Sequence, residues 1–418
     1  MMAFENSEEF ATRCDQEDQL SGSMDKFHLP QELPYYFSGH SLGPRPVKAL
    51  NYIQDEFSAW EKYGVEGHFE SNRPWVKYHE FLNPMMARVV GAKEKEVVVM
   101  NTLTVNLHLA LVSFYRPTKT RYKILIEANS FPSDHYAVQS QAKFHGFNPA
   151  EAIIELPTEN GFITDPSVII ETIKKHKDEL ALVMLGNCNY LSGQYFDIQK
   201  ISEQAKSVGA KVGFNLAHGA GNLPLKLNQQ GPDFAVWCSY KYLNSGPGNL
   251  SGFFVHERHH KDKDLPRFAG WWGHNKERRF RMETGFDPIE GAEGWQLSNP
   301  PIFSLAAFLA SLEIFDEYGM DNIWQKSQNL TGYFRFLLEK NCSDILSIVT
   351  PENSKGSMLC LQFKSEPKDL LEEFKRLGVS ADFRYPNIIR MTPAALYTSF
   401  KKVYEVVQII KQHGGEAQ

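Results

Sequence analysis

Apolar residues in the middle third of the chain come in short unbroken runs rather than in alternation. "EVVVM" (96–100), "YKILIEA" (122–128), "LALVMLGN" (180–187), "KVGFNLA" (211–217), "FAVWCSY" (234–240) and "GFFVHE" (252–257) predict strands. Strands without alternation are buried on both faces, so the pattern predicts a mainly parallel sheet covered by helices. Between two of them, "DIQKISEQAKSVG" (197–209) has a helical period. After "SNPP" (298–301) the pattern changes. "SLAAFLASLEIFDEYG" puts apolar residues at 305, 308, 309, 312 and 315, the stripe of a long amphipathic helix. "SMLCLQF", "PKDLLEEFKRLG", "NIIRMT" and a last helix from about 397 then predict a compact α+β unit. The fold class expected is α/β. A large, mainly parallel-sheet domain spans 49–303, a smaller α+β domain spans 304–418, and segment 1–48 joins the small domain.

Composition changes this picture little but excludes several functions. A formal charge of −6 argues against nucleic acid or anionic lipid as the main partner, because both demand a basic excess. No run approaches the roughly 18 apolar residues of a membrane span, and the start "MMAFENSEEFATRCDQEDQ" is polar and acidic. Neither a spanning helix nor a secretory signal is expected, and the sequons at Asn249, Asn329 and Asn341 read as chance matches. The five cysteines, Cys14, Cys188, Cys238, Cys342 and Cys360, show no CxxC spacing, so no metal site and no disulfide framework is expected. A reducing, cytoplasmic setting fits.

The candidate chemistry sits where strands end. In "VWCSYKYLNSGPG" (236–248) a lysine, Lys241, stands between an apolar strand and a glycine-rich turn. Three readings compete: a snorkelling surface lysine, a phosphate-binding lysine, or an amine kept for a covalent bond. "FNLAHGAGN" (214–222) puts His218 at the carboxyl edge of the same sheet, where open α/β sheets bind ligands. "NTLTVNLHLALVSF" (101–114) turns into a helix, so Leu103 and Thr104 lie among unpaired N–H groups, either as an ordinary N-cap or as an anion cradle. "EANSFPSDHYA" (127–137) offers Phe131 and Asp134 after another strand, with core packing as the plainer alternative for the ring. GxxxxGK[ST] is absent, which argues against a nucleoside triphosphate. Each motif is weak alone. An aromatic face, an anion cradle and a buried amine at successive strand ends together favour a flat, phosphorylated heteroaromatic cofactor, pyridoxal 5'-phosphate.

"SGHSLGPRP", "NTLTVNLHLALVSFYRP", "FPSDHYA", "NLAHGAGN", "WCSYKYLN", "GWWGH", "LSNPPIF" and "IIRMTPAALYTSFKKVYE" resemble the kynureninases, most closely their animal-type branch. These are pyridoxal-phosphate enzymes of the aspartate-aminotransferase fold (fold type I). The resemblance covers nearly the whole chain. It implies hydrolysis of the Cβ–Cγ bond of L-kynurenine or 3-hydroxy-L-kynurenine, giving alanine and anthranilate or its 3-hydroxy form, a step in tryptophan breakdown that supplies pyridine nucleotides. It also implies that Lys241 links covalently to the cofactor and moves the substrate's α-proton, with Tyr240 as a proton shuttle. Leu103, Thr104, Pro132, Ser133, Tyr240 and Trp271 would surround the phosphate. Phe131 would stack on the pyridine ring, with Asp134, Asn215 and His218 beside it. Arg390 would clamp the substrate's carboxylate. His68 and Asn299 would lie near the substrate's aromatic ring, with Asn299 also reaching the cofactor from the "SNPP" loop, although His68 could equally be an ordinary loop histidine. The family implies a homodimer in which Trp271 and Asn299 come from the neighbouring chain.

Two positions depart from the family pattern. Asn215, in "GFNLAHG", stands where an aspartate normally pairs with the pyridine nitrogen, and Gly186 stands where a hydroxyl residue is usual. An amide cannot supply the missing charge, and charge-assisted hydrogen bonds are about twice as strong as neutral ones. The alternative to an active hydrolase is therefore a homologue that binds the cofactor and hydrolyses weakly or not at all. A third reading, a desulfurase or other β-cleaving lyase, would need a reactive cysteine on a mobile loop, and no cysteine has such surroundings in the sequence.

Overall fold

The computed structural model of the chain describes residues 3–414. Seven strands form its large sheet: β1 (Val97–Met100), β2 (Lys123–Ile126), β3 (Ile153–Glu155), β4 (Leu180–Gly186), β5 (Lys211–Asn215), β6 (Phe234–Cys238) and β7 (Ser251–Val255). Their spatial order is β1-β7-β6-β5-β4-β2-β3. Neighbours from β3 to β6 run parallel, and β7 is antiparallel to both β1 and β6. All six apolar runs are strands, ending where polar residues leave the sheet. β3 went unread because it is a three-residue edge strand with no fully buried residue.

Every residue of β1, β4, β6 and β7 is buried, and the two faces serve separate cores. Val97, Val99, Leu125, Val183, Phe214 and Trp237 point to one core. Val98, Ile124, Leu182, Phe234, Val236 and Phe253 point to the other. This period of two, apolar on both sides, is why the runs do not alternate. Gly252 makes room across the ladder: a Cβ there would fall 2.0 Å from the Trp237 ring.

The helices used below are α1 (Glu8–Gln16), α2 (Ala49–Tyr63), α3 (Leu103–Phe114), α4 (Pro132–Phe144), α5 (Ile198–Ser207), α6 (Ile302–Tyr318), α7 (Met320–Asn341) and α8 (Phe400–His413). α3 follows β1, α4 follows β2, and α5 joins β4 to β5. The expectation for α6 is corrected. It is not a helix with one apolar stripe, because Leu305, Ala306, Phe308, Leu309, Ala310, Ser311, Leu312, Ile314 and Phe315 are buried around its circumference. It packs against α2 and the helix Tyr78–Val90 and belongs to the core of the large sheet. Core membership thus places α6 with the sheet domain, although the pattern change at 298–301 had assigned it to the C-terminal unit.

A second sheet, β8 (Leu346–Ile348), β9 (Leu359–Phe363), β10 (Asp382–Arg384) and β11 (Ile388–Met391), is antiparallel in the order β8-β9-β11-β10. Its core takes in Leu330 and Phe334 of α7, Val403 and Val407 of α8, and Phe10 and Ala11 of α1. The N-terminal segment straddles both cores, for Phe37 joins this one while Phe27 and Tyr36 join that of the large sheet. α1 is fastened to α8 by Asp15, whose two oxygens accept the N–H groups of Phe400 and Lys401 at 2.7 and 3.0 Å.

Candidate active site

The carboxyl ends of β2, β4, β5 and β6 open on a cavity of about 280 Å3. Each strand delivers at least one group to it: Glu127 just past β2, Gly186 at the end of β4, Asn215 at the end of β5, and Cys238, Tyr240 and Lys241 at and beyond β6. The small sheet closes the other side with Arg384 and Arg390.

Lys241 Nζ lies 3.1 Å from His218 Nε2, and the Tyr242 hydroxyl lies 3.4 Å from His218 Nδ1. Burial, then the neighbouring charges of Lys241 and Arg390, drives the His218 pKa well below its usual value, so the ring is neutral and accepts from the amine. Burial is also the main reason that the Lys241 pKa is lowered, with Arg390 acting in the same sense and Cys238 and Asp134 opposing. Burial pushes the Tyr240 phenol up, so it stays protonated.

Two helix N-termini meet beside the amine. Neither Thr102, before α3, nor Phe131, before α4, makes a side-chain cap, and Thr104 Oγ1 and Ser133 Oγ lie 2.8 Å apart between the two first turns. Uncapped first turns and two hydroxyls form an anion cradle. The Phe131 ring is 47% exposed, with Lys241 Nζ 5.9 Å from its centre, so one aromatic face is left open over the cavity floor. On that floor Asn215 Nδ2 donates to Asp134 Oδ2 at 2.7 Å, while Asp134 Oδ1 is buried without a partner. Burial raises the Asp134 carboxyl to about 6, against the hydrogen bond from Asn215 and the charge of Lys241. Glu127 accepts from Gly186 N at 3.2 Å and from Asn189 Nδ2 at 3.0 Å, and burial pushes it up to about 7. A Cβ at Gly186 would stand 2.8 Å from Glu127 Oε1, so a larger residue at 186 would have to displace that carboxyl. An anion cradle, an open aromatic face, an amine with lowered pKa and an unpartnered acid oxygen fit a flat phosphorylated ring bearing an aldehyde.

Of the residues expected from sequence, Leu103, Thr104, Phe131, Ser133, Asp134, Asn215, His218, Tyr240, Lys241 and Arg390 come together around this cavity. Pro132, the first residue of α4, is exposed beside it. His68, Trp271 and Asn299 lie outside. His68 is turned to the Val65 carbonyl (2.9 Å) and edge-on to Trp75, the Trp271 indole donates to the Arg279 carbonyl at 3.0 Å, and Asn299 is exposed. Sequence reasoning passed over Glu127, His40, Tyr190, Asp382 and Arg384. Glu127 carried a usable signal, an acid directly after the buried apolar residues Ile124–Ile126 of β2.

Residues 323–410 match the family model described as the kynureninase C-terminal domain. A kynureninase of Myxococcus xanthus is 54% identical over 99% of this chain and 99% of its own length. The chain belongs to the kynureninase family. A kynureninase of Flavobacterium psychrophilum is 49% identical over 98% of this chain and 99% of its own. Among solved structures, a C-DES variant with glycine covalently linked to its PLP cofactor superposes with a TM-score of 0.77 at 15% identity, covering 95% of this chain and 99% of that one. That likeness concerns the fold, which is the fold-type-I architecture expected.

Proposed function

We propose that the protein is a pyridoxal-phosphate-dependent kynureninase that converts L-kynurenine, or its 3-hydroxy form, and water into anthranilate, or 3-hydroxyanthranilate, and L-alanine. Family membership supports the reaction, and the observation that carries it to this chain is the Lys241–His218 contact on the cavity floor. Pyridoxal phosphate supplies an aldehyde for the substrate's amine and a ring that accepts the electron pair released at carbon. Lys241 would hold it covalently until the substrate's amine takes its place, Thr104 and Ser133 would hold its phosphate, Phe131 would cover its ring, and Asp134 and Asn215 would lie beside it.

The chain's own groups do the rest. Lys241, made easier to deprotonate by burial, takes the proton from the substrate's Cα at Nζ. Neutral His218 accepts a hydrogen bond from Nζ and so orients it. Tyr240, kept protonated, donates from its hydroxyl to the group that gains charge as the Cβ–Cγ bond breaks. Arg390 binds the α-carboxylate. Phe131 and Tyr190, edge-on to one another at 5.4 Å, form one wall of the cavity.

The reading of weak activity rests on the charge missing at 215. Asp134 lies within hydrogen-bond distance of the Asn215 amide, so a buried acid remains at that edge of the cavity. The desulfurase reading loses its support, since all five cysteines are buried and burial pushes Cys188, which lines the cavity, up to about 12.

The active unit is a homodimer, and the residues outside the cavity support this. Phe69 and Trp271 each lie within 6 Å of the Phe280 ring, with His68 next to Phe69 in the chain. Phe57 stacks on Phe303 at 4.5 Å, and Trp60 lies beside it. The first of these ring clusters carries Trp271 and adjoins His68, and the second lies on Phe303, four residues after exposed Asn299. No helix among the described residues is long and apolar enough to cross a membrane, and the five buried cysteines suit a cytoplasmic setting.

The test is to follow anthranilate fluorescence with L-kynurenine in the cofactor-saturated protein, alongside Asn215→Asp. Turnover at about 1 s⁻¹ or faster in the unmodified protein is expected, as for ordinary enzymes. Turnover appearing only in the aspartate variant would favour the weak homologue instead.

A further inference from the structure

Two arginines of the small sheet reach the cavity, and one carboxylate stands between them. β10 and β11 are antiparallel with Asp382 directly opposite Arg390, so the two side chains share a face. Arg384, two residues along β10, falls on that face as well. Asp382 Oδ2 accepts from Arg390 Nε at 2.6 Å and from its Nη2, and from Arg384 Nε at 3.2 Å. Fully buried His40 lies with Nε2 3.8 Å from the same oxygen and Nδ1 2.9 Å from Thr392 Oγ1. Arg390 Nη1 donates to the backbone carbonyl of Tyr190, in the loop after β4. The guanidinium therefore bridges the two sheets.

A guanidinium has five N–H groups in a fixed plane. Asp382 takes the pair on one side, from Nε and Nη2, and the Tyr190 carbonyl takes one from Nη1. One N–H remains on each of Nη1 and Nη2. Together these make a fork whose spacing matches the two oxygens of a carboxylate.

We propose that Asp382 is a positioning residue for the substrate's α-carboxylate: it grips Arg390 by its side edge and leaves the end-on fork for the substrate. This rests on the kynureninase reading of the cavity. The carboxylate does not cancel the site's attraction for an anion. Arg384 and Arg390 carry two positive charges against one negative, and burial lowers His40 to about 4, leaving it neutral at pH 7. A fork held in place also spares the binding step the cost of immobilising a long side chain.

Asp382→Asn keeps the size and one acceptor but loses the charge-assisted grip. With L-kynurenine, KM should rise about tenfold or more while kcat stays within about twofold. Inhibition by kynuramine, which has hydrogen in place of the carboxylate, should be unchanged. Asp382→Glu, which restores the charge on a longer arm, should recover part of the loss. An unchanged or lower KM would overturn the proposal. So would equal weakening of kynurenine and kynuramine, which is what a merely structural role predicts. If the unmodified protein turns over kynurenine and Asp382→Asn behaves alike, only this proposal fails. If the unmodified protein does not hydrolyse kynurenine at all, the functional reading fails and takes this one with it.

Discussion

At the scale of single residues, burial does most of the chemistry. It lowers Lys241 and His218 and raises Glu127, Asp134 and Tyr240, so the cavity floor holds an amine, a neutral imidazole and two acids near neutrality. Glu127 makes this measurable. Its carboxyl titrates at about 7 in the folded chain against an ordinary value of 4.5, so the folded state favours the protonated acid. The resulting stabilisation is complete below pH 4.5 and is lost as the pH rises through 7, and 2.5 pH units correspond to about 3 kcal/mol. Urea unfolding of the unmodified protein should therefore weaken between pH 4.5 and 7 relative to Glu127→Gln. Parallel stability curves would contradict the assignment. Lys241 was legible because its glycine-rich surroundings are local in the chain. Asp382 was not, because its role depends on which strand lies opposite.

At the scale of elements, legibility followed burial. The strands buried on both faces announced themselves as apolar runs, while β3 and β10, three residues each and partly exposed, left no pattern to read. α6 misled for the opposite reason. Leu305, Phe308, Leu309, Leu312 and Phe315 make a stripe, but Ala306, Ala310 and Ile314 fill the rest of the circumference, so one apolar face was counted where there are several. The joint between α1 and α8 was beyond sequence reading, since Asp15 and Phe400 are far apart in the chain. Ser399 already caps α8 through Lys402 N, so Asp15 supplies further acceptors at the first turn. Asp15→Ala should cost about 1–2 kcal/mol of unfolding free energy and leave kcat unchanged. An unaltered denaturation midpoint would show that water replaces those bonds without loss.

At the scale of the whole molecule, the fold class and most of the cavity were legible, but the residues expected from the neighbouring chain do not reach this chain's cavity. Trp60 is 57% exposed, Phe57 52% and Phe280 53%, large rings that a second copy of the chain would cover. Sedimentation should show a dimer of the 47.7 kDa chain, and Trp60→Asp should shift it toward monomer with loss of activity. A fully active monomer would refute the assembly and require His68, Trp271 and Asn299 to be reassigned.

One nitrogen atom, Lys241 Nζ, carries the chemistry of the cavity. Borohydride reduction of the cofactor-saturated protein, followed by peptide mass mapping, should leave a phosphopyridoxyl group on Lys241 and nowhere else. Its appearance on another lysine, or its absence from the saturated protein, would contradict the whole assignment.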